Sequence, residues 1–503
     1  MPESKTDKIM NIATKRGFFF PSGEIYNSKA GFWTYGHLGT LLKHKFENIW
    51  RDYFLNLNEN YYEIDDTNIL AKEVFKSSGH LENFNDPLVD CKKCKFRFRA
   101  DELIEDETGL NSQGLKEQEL DKIIKENKLK CPRCGGDLGN TRFFNMMFDL
   151  KVGATGEDVM FLRPETAQSA FLAFKREFMA LRERLPLGLA VIGKAFRNEI
   201  SPRQGFFRLR EFTQAELQIF FDVDKIDEAE NWNKNYKLRL FLHNKKKEED
   251  ITCEDANKKL KLPKFYVYHL EKIQRFYLET LKIPKEKFRF RELSEKERAF
   301  YNKIHFDIEL NLETLKGFKE VAGCHYRGEH DLGGHQKGSG EKLEVNITEN
   351  EKTKKLLPHV LELSFGVDRN LWALLDIFYH EDKKRQMFKL PFNLVPIEVA
   401  VFPLVDKDKL PEKAIEVYSL LKKDFRVLYD NKGSIGKMYR RVDEIGVPAM
   451  ITIDHQSLKD NSVTLRDRDN MKQIRVKIKD LNDVIKKFLN EEQLNKLGKI
   501  IKS

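Results

Sequence analysis

Apolar positions along this chain switch between a helical and a strand period, and the switches divide it into segments. Residues 31–57, GFWTYGHLGTLLKHKFENIWRDYFLNL, open on a Gly-rich turn. They then set Leu41, Leu42, Phe46, Ile49, Trp50, Tyr53 and Phe54 at near-helical spacing, which predicts an amphipathic helix. FLRPETAQSAFLAFKREF (161–178) predicts another helix from Thr166 onward, with Pro164 at its threshold. HFDIELNL (305–312) alternates as a half-buried strand does. LELSFGVDRNLWALLDIF (361–378) reads as strand, Gly turn and apolar helix. From FNLVPIEVAVFPLV (392–405) short apolar runs alternate with charged helical stretches as far as Ser503, which predicts a separate α/β domain over 392–503.

Two stretches interrupt this pattern. Residues 81–160 contain the charged run DELIEDETGLNSQGLKEQELDKIIKENKLK and predict a helical insertion. Residues 222–290, rich in Lys and Glu with few turn signals, predict a second charged helical insertion on the surface. GGHQKGSG (333–340) reads as a mobile loop. No internal repeat of solenoid length is present.

Length and composition narrow the class. A chain of 503 residues has room for two to four domains with large cores, and its 38 Phe are expected to fill them. No run of about eighteen apolar residues occurs, and the N-terminus MPESKTDKIMNIATKRG lacks a signal-like stretch, so no membrane partner and a cytoplasmic location are expected. Lys and Arg number 89 against 80 acidic residues, a net charge of +9 that suits RNA binding through patches without demanding it. Residues 391–503 carry 22 basic and 17 acidic side chains, more than half of the positive excess.

The six cysteines are unlike a disulfide framework. Cys91 and Cys94 (CKKC) and Cys131 and Cys134 (CPRC) form two pairs separated by 36 residues. Each pair fits a knuckle, and two knuckles complete a four-thiolate structural zinc site with no open position for catalysis. Gly135 and Gly136 allow the tight turn. Cys253 and Cys324 are isolated and read as ordinary residues.

The chemistry concentrates in FRNEISPRQGFFRLREFTQAE (196–216). Two strands joined by a polar loop would place cations, rings and carboxylates on one face. Cations suit phosphates, aromatics suit a purine, and carboxylates suit an ammonium group or a metal. That combination points to a nucleotide attacked by a second substrate. A competing phosphate motif is excluded: GLAVIGK (188–194) fits the opening of a P-loop, but Ala195 stands where a Ser or Thr is required, and LAVI reads as a buried strand.

This run resembles motif 2 of the class II aminoacyl-tRNA synthetases, in the wording of the glycyl group. The likeness extends over almost the whole chain: residues 31–57 resemble motif 1, 361–378 motif 3, and RPET, EVAGCHYRGEHDL and the C-terminal domain also match. The resemblance implies a class II catalytic core, an antiparallel sheet flanked by helices, over 1–80, 161–221 and 291–388. To it are added an insertion with the four-cysteine zinc site (81–160), the charged insertion (222–290) and an α/β anticodon-binding domain (392–503). It implies a homodimer built through motif 1.

By carry-over, Arg197 grips the α-phosphate of ATP. Arg208 lies near the γ-phosphate with Glu199 contributing, Phe212 stacks on the adenine beside Phe207, and Arg369 lies on its other side. Glu362 holds Mg2+ between phosphates. Glu165, Glu216, Ser364, Glu320 and Arg327 line the glycine pocket. Lys437, Arg440, Arg441, Arg466 and Arg468 are candidates for tRNA binding. The implied reaction joins glycine to tRNA(Gly) with consumption of ATP. The rivals are a synthetase of the threonine, proline or histidine type, and a non-catalytic nucleic-acid-binding relative. The RPET Glu and the EVAGCHYRG stretch argue against the first, and the retained Arg197, Glu199, Phe212, Glu362 and Arg369 against the second.

Overall fold

The computed structural model describes residues 3–501 apart from 28, 111, 113, 201, 203, 204, 230, 231, 295, 296, 299–301, 350 and 384. Its centre is a sheet with nine strands among the described residues: β1 (Tyr61–Glu63), β2 (Leu187–Phe196), β3 (Glu211–Phe221), β4 (Lys237–Phe241), β5 (Glu248–Thr252), β6 (Phe288–Glu292), β7 (Ile304–Leu312), β8 (Gly317–Gly328) and β9 (His359–Gly366). The spatial order is β5-β4-β6-β7-β8-β9-β3-β2-β1. Only β1–β2 and β4–β6 run parallel; the other neighbours are antiparallel.

Alternation along the middle strands explains where the core ends and a site begins. On β3, Ala215, Leu217, Ile219 and Phe221 enter the main core, as do Leu361, Leu363 and Phe365 of β9. The helix predicted over 31–57 forms at His37–Phe54 and packs into that core through Leu42, Phe46, Trp50 and Phe54. On the opposite face, Phe220 and Val360 are covered by the helix Ala167–Ala180. The rest of that face, from Phe212 to Glu216 and from Glu362 to Gly366, stays open as a cleft.

Three expectations need correction. Residues 222–290 are not a helical surface insertion: β4 and β5 extend the central sheet, and the helix Lys264–Arg275 buries Tyr266, Val267, Leu270 and Ile273 in the main core. Most of their Lys and Glu residues lie on the solvent side of these elements, Glu271 being a buried exception. GGHQKGSG is not a loop but most of the helix His330–Ser339. Its glycines permit close packing, since a Cβ on Gly334 would stand 2.6 Å from the Ser77 carbonyl oxygen. Residues 81–160 contain helices Ala100–Thr108 and Glu117–Glu126, as expected, but also a three-stranded sheet of Asn85–Asp90, Arg97–Arg99 and Arg142–Asn145, the strand Phe148–Val152 and the start of the strand Asp158–Leu162. A small separate core gathers Val89, Ile104, Leu120 and Ile124 around the cysteines.

The C-terminal sheet has six strands among the described residues, ordered Val427–Tyr429, Val399–Pro403, Ala449–Ile453, Ser462–Asp467, Gln473–Lys477 and Ile500–Ile501. The first three are parallel and the remainder antiparallel. No helix among the described residues is long and apolar enough to cross a membrane.

Candidate active site

The cleft on the open face of the sheet gathers Glu165, Arg197, Glu199, Phe207, Arg208, Phe212, Glu216, Glu320, Glu362, Ser364 and Arg369. Strand register accounts for most of this. Glu216 of β3 faces Ser364 of β9, Gln218 faces Glu362, and Glu362 in turn faces His325 of β8. Glu320 joins them through an irregularity. Alternation from His325 would point position 320 to the core side, but a β-bulge pairs Glu309 with Glu320 and Ile308 with Ala322, turning Glu320 toward the cleft.

One end of the cleft is acidic. Glu216 is buried and accepts from Thr166 Oγ1 (2.6 Å), Ser364 Oγ (2.5 Å) and Gln214 Nε2 (2.9 Å). Glu362 is also buried; Gln218 Nε2 (2.6 Å) and Arg327 Nη1 (2.9 Å) donate to it, and His325 Nδ1 lies 2.5 Å from its other oxygen. Gln168 Nε2 donates to Glu165 (2.9 Å), with His80 Nε2 at 3.4 Å and Arg327 at 3.6 Å.

Burial works against all three charges, but only two carboxylates have cations beside them. His80 and Arg327 overcome burial and hold Glu165 below the usual carboxylate range. Arg327 and His325 do the same for Glu362. Burial, reinforced by the nearby Glu362 and Glu165, pushes the Glu216 carboxyl up to about 8. Gln214, which lines this cleft, adds a buried carbonyl oxygen without a partner among the described residues.

The other end is cationic and aromatic. Arg197 follows β2 directly; its Nε donates to the Pro164 carbonyl (3.1 Å) and its guanidinium lies over the Phe84 and Phe212 rings, at 5.4 and 5.2 Å. Arg369 lies 5.3 Å from the Phe207 ring and 3.0 Å from Glu320. Arg208 pairs with Glu199 (3.1 Å) and with Glu102, which comes from the helix Ala100–Thr108 of the cysteine-bearing insertion.

Several sequence assignments change. Arg327 is buried behind the carboxylates, chelating Asp331 at 2.7 and 2.8 Å, so it positions the pocket and does not line it. Arg466 is buried against Asp443 (3.1 Å) and Tyr439, and Arg468 donates to the carbonyls of Leu390 and Gly446. Neither offers a surface to RNA, because a guanidinium with so many donors is well suited to tying buried carbonyls and carboxylates together. Arg441 is half-buried and bound to Asp430 (2.7 Å), whereas Lys437 and Arg440 remain exposed on the helix Ile435–Glu444. Sequence reasoning missed His80, Gln214, Gln218, His325 and Asp368. Alternation from Glu216 would have found Gln214 and Gln218, but nothing local marks His80.

The four cysteines converge. Cys91 and Cys134 sulfurs lie 3.5 Å apart and those of Cys94 and Cys131 3.7 Å apart, all four within 4.8 Å of one another. A Cβ on Gly136 would stand 3.3 Å from both the Cys91 and Cys134 sulfurs, which explains the glycine. The donor set fits a tetrahedral thiolate-binding ion.

An antiparallel sheet with an Arg–Phe hairpin, a strand–Gly–helix element carrying the second Arg and a distal α/β domain defines a class II aminoacyl-tRNA synthetase. Residues 150–378 match the tRNA synthetase class II core domain (G, H, P, S and T), and residues 398–488 match the anticodon binding domain. The fold is shared with prolyl-tRNA synthetase from Cryptosporidium parvum, with a TM-score of 0.60 and 15% identity over 98% of this chain and 77% of that one. Within the class, the chain is 38% identical to the glycine–tRNA ligase of Pyrococcus horikoshii, over 96% of this chain and 99% of the relative. It is 37% identical to that of Methanothermobacter thermautotrophicus (96% and 99%) and 36% identical to that of Aeropyrum pernix (100% and 100%). The chain belongs to the glycine–tRNA ligase family.

Proposed function

We infer that this chain activates glycine with ATP to glycyl-adenylate and transfers the glycyl group to the 3′ end of tRNA(Gly). The observation that carries the reading is the acidic end of the cleft, where Glu165, Glu216 and Glu362 converge with Ser364 beside the Arg–Phe shelf. That end accepts an ammonium group. Glycine needs no side-chain pocket, and the packed Thr166, Ser364 and carboxylates exclude larger amino acids by bulk. A carboxylate oxygen of glycine then bonds to the α-phosphorus as the bond to pyrophosphate breaks. Arg197, fixed by Pro164 and two rings, neutralises charge on the α-phosphoryl oxygens, while Arg208 and Arg369 meet the pyrophosphate end. Phe212 offers its open face to adenine. In the second step a ribose hydroxyl attacks the carbonyl and AMP leaves. Pyrophosphate exchange across amino acids tests the reading: exchange is expected with glycine alone, and exchange with proline but not glycine would overturn it.

Magnesium accompanies ATP in this chemistry and, when bound, spreads the phosphate charge. Glu362 does not fit as its ligand, because three donors occupy its oxygens and it belongs to the ammonium pocket. Glu320 fits better, with a half-exposed carboxylate (51%) on the phosphate side next to Arg369. The cysteine cluster would hold zinc in a structural role. Because Glu102 shares Arg208 with the site, ATP must displace it. Glu102→Gln is therefore expected to lower the KM for ATP about two- to fivefold, with the glycine KM unmoved, in initial-rate assays.

The tRNA would meet the exposed Lys437 and Arg440. Replacing both by Ala should raise the KM for tRNA several-fold and leave pyrophosphate exchange intact. The homodimer expected from motif 1 does not use the buried stripe of His37–Phe54. Apolar surface for it is available at Ile25 and Tyr26, 82% and 84% exposed in the adjoining hairpin. A cytoplasmic location accords with a role in translation. Residues 1–80, 161–221 and 291–388, with β4 and β5, would act as the catalytic unit, and 392–503 as the anticodon-reading unit.

A further inference from the structure

Beyond the cysteine cluster, one group of side chains, reaching the cleft at His325, has the make-up of a metal site. His305 and Asp307 lie two residues apart on β7, hence on one face, and His305 is the direct cross-strand partner of His325 on β8. One ligand atom from each falls within 4.8 Å of the others, and the two imidazole rings are 4.1 Å apart. His305 Nε2 is 3.0 Å from Asp307 Oδ1, close to the spacing of about 3.3 Å between neighbouring ligands around a tetrahedral ion with bonds near 2.0–2.1 Å.

The orientation of each ring favours a cation. His325 Nδ1 faces Glu362, a carboxylate that fixes the proton there and leaves Nε2 as a lone pair. That Nε2 leans back over Gly323, the cross-strand partner of Asp307: a Cβ on Gly323 would collide with it, so only glycine permits the pose. His305 Nδ1 is 3.1 Å from the amide nitrogen of Asn302, whose own Oδ1 is buried with no partner among the described residues. An amide can be turned without moving its outline. Turned, Asn302 Oδ1 accepts from His305 Nδ1–H, which satisfies the orphan oxygen and frees His305 Nε2 as a second inward lone pair. Both imidazoles then have an outer partner on Nδ1 and an inner nitrogen toward Asp307, the arrangement that metal-binding histidines adopt. Arg291, 3.7 Å from the far oxygen of Asp307, leaves the near oxygen free.

We propose that His305, Asp307 and His325 bind a divalent transition-metal ion of the zinc type beside the cleft, separate from the four-thiolate site. Imidazole with carboxylate selects zinc, cobalt or nickel over magnesium. Three protein ligands leave a position open, and His325 is the ligand that also lines the cleft. Through Nδ1 the bound ion also holds Glu362 in place.

Cobalt(II) titration of the metal-free full-length chain tests this. Two equivalents are expected at stoichiometric metal. One shows sulfur-to-cobalt charge transfer, and the other shows only the ligand-field bands of nitrogen and oxygen ligands. His305→Ala and Asp307→Asn should each lose the second set and one equivalent while keeping the first, and Cys131→Ser should do the reverse. Circular dichroism identifies any variant that fails to fold, and the isosteric Asp307→Asn carries the test if His305→Ala does so. A single equivalent in the parent, a second one bound only at large excess, or a second set unchanged in folded His305→Ala or Asp307→Asn overturns the proposal.

Discussion

Arg197→Ala is expected to lower the rate of adenylate formation by about 10²–10³-fold, the usual loss when one fixed charge donor to a phosphoryl transition state is removed. Its Nε is tied to the Pro164 carbonyl and its guanidinium packs on the Phe84 and Phe212 rings, so it is held in place before ATP arrives. That preorganisation predicts a fall in the turnover of pyrophosphate exchange greater than any rise in the KM for ATP. Arg197 is at the cleft and makes no buried ion pair among the described residues, so thermal unfolding should change little. Exchange retained at the parental rate would remove Arg197 from the mechanism.

Glu216→Gln should raise the KM for glycine by about 10²–10³-fold at pH 8, because it removes a buried carboxylate that would pair with the ammonium. The pH dependence is more telling. In the empty protein the Glu216 carboxyl is pushed up to about 8, so below that pH glycine binding must expel a proton. The parental glycine KM should therefore rise about tenfold per unit as pH falls below 8, and the Gln variant, which cannot ionise at this position, should flatten that slope. Stability should move the other way. A folded-state pKa above the ordinary carboxylate value means that stability is lost as pH rises from the ordinary range through about 8. The same variant escapes this loss and should unfold at a higher temperature near neutral pH. A parental glycine KM independent of pH between about 6 and 8 would contradict the role assigned to Glu216.

How much of this was legible beforehand depends on distance along the chain. The hairpin 196–216 and the strand–helix unit 361–378 could be read as written, because their chemistry and their periodicity lie within single elements. The nature of residues 222–290 could not. Their charged residues outnumber the buried ones, and only the partner strand Phe288–Glu292 shows that they belong in the central sheet. The basic residues of the C-terminal domain were equally ambiguous: Arg440 and Arg466 look alike in sequence, but one is exposed and the other is spent on Asp443.

The sequence by itself determined the family, the two ends of the cleft and the four-thiolate cluster, because alternation and short spacings dictate which side chains share a face. Tertiary structure decided what each of those groups does. A bulge turned Glu320 into the cleft beside Arg369, Arg327 was withdrawn behind the carboxylates, and Glu362 was engaged by three donors from two neighbouring strands. Charge state and exposure depend on neighbours brought together from distant parts of the chain. Among three buried glutamates, only the one without a cation beside it keeps its proton.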